Sequence, residues 1–206
     1  MRELFVRGGP VMWPLLLLSV TSLTISIERV VFWWRVARRR DEEAVEKMFH
    51  LTETGDFEGA AGAGSESRDM SVEILVSGLE HRNYGLSETM LVAAEEEIAG
   101  MKRGLNVLDT IITMAPLLGI LGTVLGIIES FDLLGAAGIE NPKAVTGGIA
   151  QALLTTAAGL SVALLTLIPF NYFAARVQRT ARHLESLTTR FEVAYRRGLE
   201  RKNAAC

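Results

Sequence analysis

The sequence predicts an all-α membrane protein with three transmembrane helices, the second and third extended into long cytoplasmic helices. Three observations carry that reading. No Asp, Glu, Lys or Arg occurs between Lys143 and Arg176, a run of roughly 30 residues where about 20 suffice to cross a bilayer. Two further uncharged runs, between Arg7 and Glu28 and between Asp109 and Glu129, approach that same length. Between and beyond these runs, apolar residues return every three or four positions, the period of amphipathic helices. A mean hydropathy of +0.27 over 206 residues fits a membrane protein with a sizeable polar part.

Residues 1–9 form a short outer segment and residues 10–34 the first span. Pro10 can start the helix, where a missing N–H costs nothing. A cleaved signal peptide fits poorly, because the apolar run is long and leads into Glu28-Arg29 and Trp33-Trp34 instead of small residues. The hydroxyls of Ser19, Thr21, Ser22, Thr24 and Ser26 are expected to bond back to carbonyls of their own helix. Orientation follows the basic residues. Arg29, Arg35, Arg38, Arg39 and Arg40 follow the uncharged run of the first span, and Arg176, Arg179, Arg182, Arg196, Arg197 and Arg201 follow the third. The intervening connection holds only Asp132, Glu140 and Lys143. The N-terminus is therefore expected outside and the C-terminus in the cytoplasm, with Trp33 and Trp34 anchoring the inner surface.

Residues 35–104 read as a cytoplasmic helical loop. Asp41–Phe49 is helical with acidic residues in its first turn, where the helix dipole favours them. A Gly-, Ser- and Ala-rich stretch places a turn near 62–69. Val72, Ile74, Leu75 and Leu79 then recur at helical spacing. After a break at Asn83-Tyr84-Gly85, Ser87 is expected to cap one long helix that runs into the membrane, with only Gly100 and Gly104 to interrupt it. The triplet Glu95-Glu96-Glu97 reads as a solvated face, ion collection being the functional alternative.

The second span, 105–130, is dense in small residues. Gly122 and Gly126 form a Gly-x-x-x-Gly pair that admits a second helix at close range, flanked by Gly119, Thr123 and the upstream Pro116. Residues 131–142 form the outer connection, and Asn141-Pro142 is a helix-start signal. The third span, 143–175, is interrupted by Gln151, Thr155, Thr156, Ser161 and Thr166 and by Gly147, Gly148 and Gly159. An unpaired polar group in hydrocarbon is costly, so this stripe should face other helices or a wet pathway. Gln151 and Thr155, four apart, share a face. Beyond Ala175, the repeat Val177, Ala181, Leu184, Leu187, Phe191 and Ala194 extends the helix into a cytoplasmic C-terminal segment, 176–206, able to pack on the helix before the second span.

Enzyme chemistry finds little support. Cys206 stands alone at the C-terminus, and His50, His81 and His183 show no ligand spacing. There is no Ser-His-Asp set, and the glycines of Leu117–Gly126 lie inside a span rather than in a phosphate loop. No metal, cofactor or nucleic acid is expected.

The stretch Ala115–Phe131, APLLGILGTVLGIIESF, followed by Gly148–Leu160, GIAQALLTTAAGL, resembles the ExbB/TolQ/MotA ion-channel family. Three spans, a large loop after the first and an N-out, C-in orientation make the ExbB and TolQ branches the nearer match. The resemblance implies a homopentamer in the bacterial inner membrane, with a periplasmic N-terminus. It also implies a dimer of single-span ExbD- or TolR-like subunits inside the pore and a TonB- or TolA-like protein that receives the work. The ion, by this likeness a proton, is taken up by an Asp of the partner. By position, Thr123 and Thr156 match the family's channel-facing threonines, and Gln151 falls where ExbB and TolQ members usually carry Glu. Thr155 stands where many proton-type members have Ala, so the Thr155-Thr156 pair resembles sodium-driven motor subunits, a competing reading. A passive, non-conducting scaffold is a second alternative, although scaffolding requires only the small residues. Gly119, Gly122, Gly126, Gly148, Gly159 and Pro116 are assigned to helix packing.

Overall fold

A computed structural model describes residues 8–137 and 142–204. Among these the regular structure is helical. Seven α-helices follow one another: α1 Met12–Arg38, α2 Glu42–Thr54, α3 Phe57–Gly64, α4 Met70–Glu80, α5 Leu86–Lys102, α6 Leu105–Ala137 and α7 Pro142–Ala204, with a 3-10 turn at Arg82–Tyr84. Helices long and apolar enough to cross a membrane lie at Met12–Arg38, within Leu86–Asp132 and within Thr146–Ala204. Residues 138–141, including the expected capping residue Asn141, lie outside the described residues.

The chain forms two compact units, one of Met1–Arg29 with Gly104–Phe173, the other of Val30–Arg103 with Ala174–Cys206. The first is a three-helix packing. Val11 and Leu15 of α1, Ala115 of α6 and Ala163 of α7 form its core, with Leu18, Leu118, Ala158 and Val162 against them. Leu17 and Leu23 of α1, Leu117 and Ile120 of α6 and Leu153, Leu165 and Ile168 of α7 point outward. An exterior as apolar as the core beneath it is unlike that of a water-soluble bundle, and it suits helices solvated by lipid.

The second unit is built like a soluble domain. Successive helices α2 to α5 pack one on the next, and α7 supplies the expected apolar stripe, with Val177, Leu184, Leu187, Phe191 and Ala194 buried. Phe191 meets Phe49 edge-on at 5.1 Å, and Tyr195 meets Phe57 at 4.8 Å. A groove lined by Leu91, Ile98, Gln178 and Ala181 runs between α5 and α7. Two of the aspartates that cap helix starts act together. Asp41 accepts the Ala44 N–H at 3.0 Å, and the buried Asp69 accepts the Ser71 N–H at 2.8 Å and, with its other oxygen, the Asp41 N–H at 2.8 Å. One carboxylate thus pins the starts of α2 and α4 together. Replacing it (Asp69→Ala) should cost about 2 kcal/mol, a cap plus an orphaned N–H. Amide exchange over residues 41–80 of the detergent-solubilised protein should then quicken roughly thirtyfold if the segment opens locally, whereas Asp69→Asn, which keeps one of the two acceptor oxygens, should lose only part of the protection.

The structure departs from the sequence expectation at five places. The helix before the second span is two helices: Arg103 turns to ψ 132 and Gly104 to φ 80, a conformation cheap only for glycine, and α6 begins afresh at Leu105. Helix α5 starts behind Gly85 with no side-chain cap, and Ser87 sits inside its first turn. Residues 57–64 are helical despite three glycines, because Asp56 caps the Gly59 N–H and Phe57 and Ala60 are buried, so the turn is confined to 65–69. Of the two tryptophans, only Trp34 is exposed, while Trp33 is buried under the Arg176 guanidinium, 5.0 Å from its ring. Glu97 differs from its solvated neighbours Glu95 and Glu96. It is half-buried, and burial, then the carboxylates of Glu73 and Glu96, hold its carboxyl above the usual range.

Candidate functional site

The polar residues of the third span converge on α6. The small residues of the two helices set the seam between them. A Cβ on Gly159 would collide with the Ala115 carbonyl and lie 3.1 Å from the Gly119 Cα. One on Gly119 would lie 3.1 to 3.4 Å from the backbone of Thr155 and Thr156, and one on Gly126 would lie 3.0 Å from the Gly148 carbonyl. Backbone therefore meets backbone over about three turns, an approach that the missing side chains of the glycines permit. Gly148 in turn leaves space for Ser130, whose hydroxyl donates to the Gly126 carbonyl at 2.7 Å.

Into this seam α7 directs two adjacent threonines with different fates. The half-buried Thr156 donates across the seam to the Gly119 carbonyl at 2.9 Å. In the helical ladder that same carbonyl is the acceptor for the Thr123 N–H, so one oxygen relates the two threonines. Thr155 is 1 % exposed, pressed against Gly122, with its hydroxyl turned back to the Ala152 carbonyl at 2.7 Å. The Thr123 hydroxyl donates to the Ile120 carbonyl of its own helix at 2.6 Å. A helix-bound hydroxyl still carries an acceptor lone pair, so Thr123 and Thr156 remain available to water or a cation.

Gln151 does not join them. One and a half turns from Thr156, it lies on the flank of α7 toward the start of α1, where Gly9, at φ 71, leaves the room that its amide occupies. Pro116 lies within α6 and Pro169 within α7. The structure thus brings Thr155, Thr156 and the glycines together, sets Thr123 beside them, and leaves Gln151 against Gly9, just before α1.

A further polar link was not legible beforehand. Ser22 of α1 and Thr166 of α7 are both buried, with their hydroxyls 2.7 Å apart. Thr166 also donates to the Val162 carbonyl, so Ser22 is the donor across the pair. Thr21 and Thr24 do bond back to Leu17 and Val20, each at 2.8 Å, as expected of hydroxyls in a span. Ser22 sits among these residues, and only the position of α7 singles it out.

The seam has hydroxyls, carbonyls and close backbone contacts, and no side chain in it changes charge. Among the described residues no group of three His, Cys, Asp or Glu is placed to hold a metal ion. The arrangement can hand a proton or water along oxygens, but it cannot store a charge.

Residues 66–186 match the profile of the MotA/TolQ/ExbB proton channel family. Two biopolymer transport proteins of Synechocystis sp., ExbB-like 1 and ExbB-like 3, are similar along nearly the whole chain. The first is 35 % identical over 200 residues, covering 93 % of this chain and 78 % of the relative, and the second is 34 % identical over 198 residues, covering 93 % of each. The biopolymer transport protein ExbB of Salmonella typhimurium is 29 % identical over 181 residues, covering 81 % of this chain and 72 % of that protein.

Proposed function

Since this chain belongs to the MotA/TolQ/ExbB proton channel family, we propose that it is the ExbB/TolQ-like stator subunit of an inner-membrane complex that draws on the transmembrane ion gradient. In this reading the subunit forms a homopentamer around a dimer of single-span, ExbD/TolR-like partners, and passes the work to a TonB/TolA-like envelope protein. Its N-terminus is periplasmic and its C-terminus cytoplasmic, in keeping with the arginines behind α1's apolar run and within the polar half of α7. The observation that carries the proposal is the Thr156 hydroxyl on the Gly119 carbonyl, in a seam of apolar spans with no charge of its own. A passive anchor has no use for polar atoms there, since packing needs only the glycines.

Protons are the coupling ion in this proposal. A sodium site needs several converging oxygens, and Thr155, the residue that suggests one, is sealed against Gly122 with its hydroxyl bonded inside its own helix. The titrating carboxylate then comes from the partner, with Thr123, Thr156 and water completing the path, while Gln151 serves helix contact.

The test is to co-reconstitute the subunit with its single-span partner, determine the mass of the assembly by native mass spectrometry, and follow proton flux with and without sodium at fixed membrane potential. We expect five copies of this chain per complex, flux that requires the partner, and no change on removing sodium or on Thr155→Ala. Monomers only, or flux that stops without sodium, would overturn the corresponding part.

A further inference from the structure

The second unit contains a cavity of about 680 Å3 walled by the end of α1 and by α2, α4, α5 and α7, within the roughly 300–1,000 Å3 of small-ligand sites. Trp33 and Arg176 line it. Both stand just past the uncharged runs of α1 and α7, so the cavity starts at the membrane surface. Its α7 lining continues to Arg190, about 21 Å further along the helix. Arg39, Arg176 and Arg190 bring guanidinium groups, two of them laid over aromatic rings: Arg176 lies 5.0 Å from the Trp33 ring and Arg190 5.5 Å from that of Phe49. From α4 and α5 come Glu73 and Glu97, and no described Lys, Arg or His lies within ion-pair distance of either. The other carboxylates of the lining are mostly engaged, Asp69 by backbone N–H groups, Glu42 by Arg40 and Glu53 by Arg197. Glu97 shows the strain of this pairing, since burial and then the charge of Glu73 hold its carboxyl above the usual range. Trp33 adds a second irregularity. It is 5 % exposed, and its indole N–H is buried with no hydrogen-bond partner in the protein, a costly condition that folded chains seldom leave unmet. Guanidinium groups with an orphaned N–H, beside two carboxylates without a counter-charge, call for a ligand that carries both signs.

We propose that this cavity binds the headgroup of an aminophospholipid, a phosphate joined to a primary ammonium, which enters from the membrane surface. The phosphate accepts the Trp33 N–H and the guanidinium fork of Arg176, a planar donor pair suited to two phosphate oxygens. The ammonium donates to Glu97 and Glu73 and supplies the counter-charge they lack. Its acyl chains stay in the bilayer. A purely anionic headgroup would leave the two carboxylates facing each other unrelieved. A choline headgroup carries the positive charge but has no N–H to donate. The site lies wholly within the second unit and is separate from the seam between α6 and α7, so it stands or falls apart from ion coupling.

The experiment takes the full chain, delipidated in detergent, and titrates it with short-chain phosphatidylethanolamine, phosphatidylglycerol and phosphatidylcholine. Bound lipid is counted by native mass spectrometry, and thermal melting verifies the fold of each variant. Phosphatidylethanolamine should bind about tenfold more tightly than either other lipid, the worth of one charge-assisted hydrogen bond. Replacing both carboxylates (Glu73→Gln with Glu97→Gln) keeps their shape and should erase that preference while lipid still binds. Trp33→Phe keeps a ring beneath Arg176 and should weaken all three lipids with the preference retained. Equal binding of the three lipids by the wild type would overturn the proposal, as would a preference that survives loss of both carboxylates. Undiminished binding by Trp33→Phe would overturn the placement of the phosphate. Phosphoethanolamine in solution separates the membrane from a soluble source: binding as tight as that of the lipid would overturn the lipid assignment.

Discussion

Thr156→Val is expected to abolish partner-dependent proton flux while the protein still folds and assembles. Valine keeps the volume and β-branching of threonine and removes only the hydroxyl that reaches the Gly119 carbonyl at 2.9 Å. A hydrogen bond between helices in a membrane is worth about 0.6 kcal/mol on average, too little to open a seam held by close backbone contact over several turns. In the pathway proposed here the functional loss is large, because the hydroxyl is one of the oxygens along which the proton passes between α6 and α7. Thr123→Val should behave alike, with a smaller change in stability still, since its hydrogen bond stays inside α6. Thr156→Ser should restore flux. The measurement is flux together with the native mass of the complex, and full flux in both valine variants would refute the pathway assignment.

Gly159→Val should have the opposite profile, with little assembled protein left to assay. A Cβ at this position meets the Ala115 carbonyl and the Gly119 backbone, and neither is a flexible side-chain tip that can swing aside. Helices α6 and α7 would have to separate along the seam, drawing Gly119 and Gly126 away from their partners as well. Overpacking a well-fitted core costs about 1–3 kcal/mol and sometimes more, and a contact of backbone on backbone belongs at the upper end. Gly147→Ala is the internal control, because nothing lies within 4 Å of a Cβ there. Membrane accumulation and thermal stability in detergent should fall sharply for Gly159→Val and hold for Gly147→Ala. Equal behaviour of the two would show that the seam is not the element that holds the spans together.

Much of this protein follows from the order of its residues. Three long uncharged runs leave few alternatives to membrane helices, because backbone groups in lipid must be satisfied within the segment. Glycines four apart in the second span announce close packing, and the motifs from Ala115 to Phe131 and Gly148 to Leu160 place the chain in its family. The stripe from Val177 to Ala194 foretells that the third apolar helix continues beyond its span, as α7 does to Ala204. These features are local or periodic, and each residue's contribution is visible from its near neighbours.

Other features became visible only once the helices were set side by side. Thr155 and Thr156 are adjacent and chemically identical, yet a rotation of about 100° per residue turns one into Gly122 and the other onto the Gly119 carbonyl. Ser22 looks like the hydroxyls around it and is distinguished by Thr166, 144 residues away. Gln151 lies against Gly9, and Gly104 rather than Gly100 breaks the approach to the second span. Periodicity tells which residues share a face of a helix. Which neighbour that face meets, and at what height, depends on how closely the backbones can approach, a property of two helices at once that neither sequence segment contains alone.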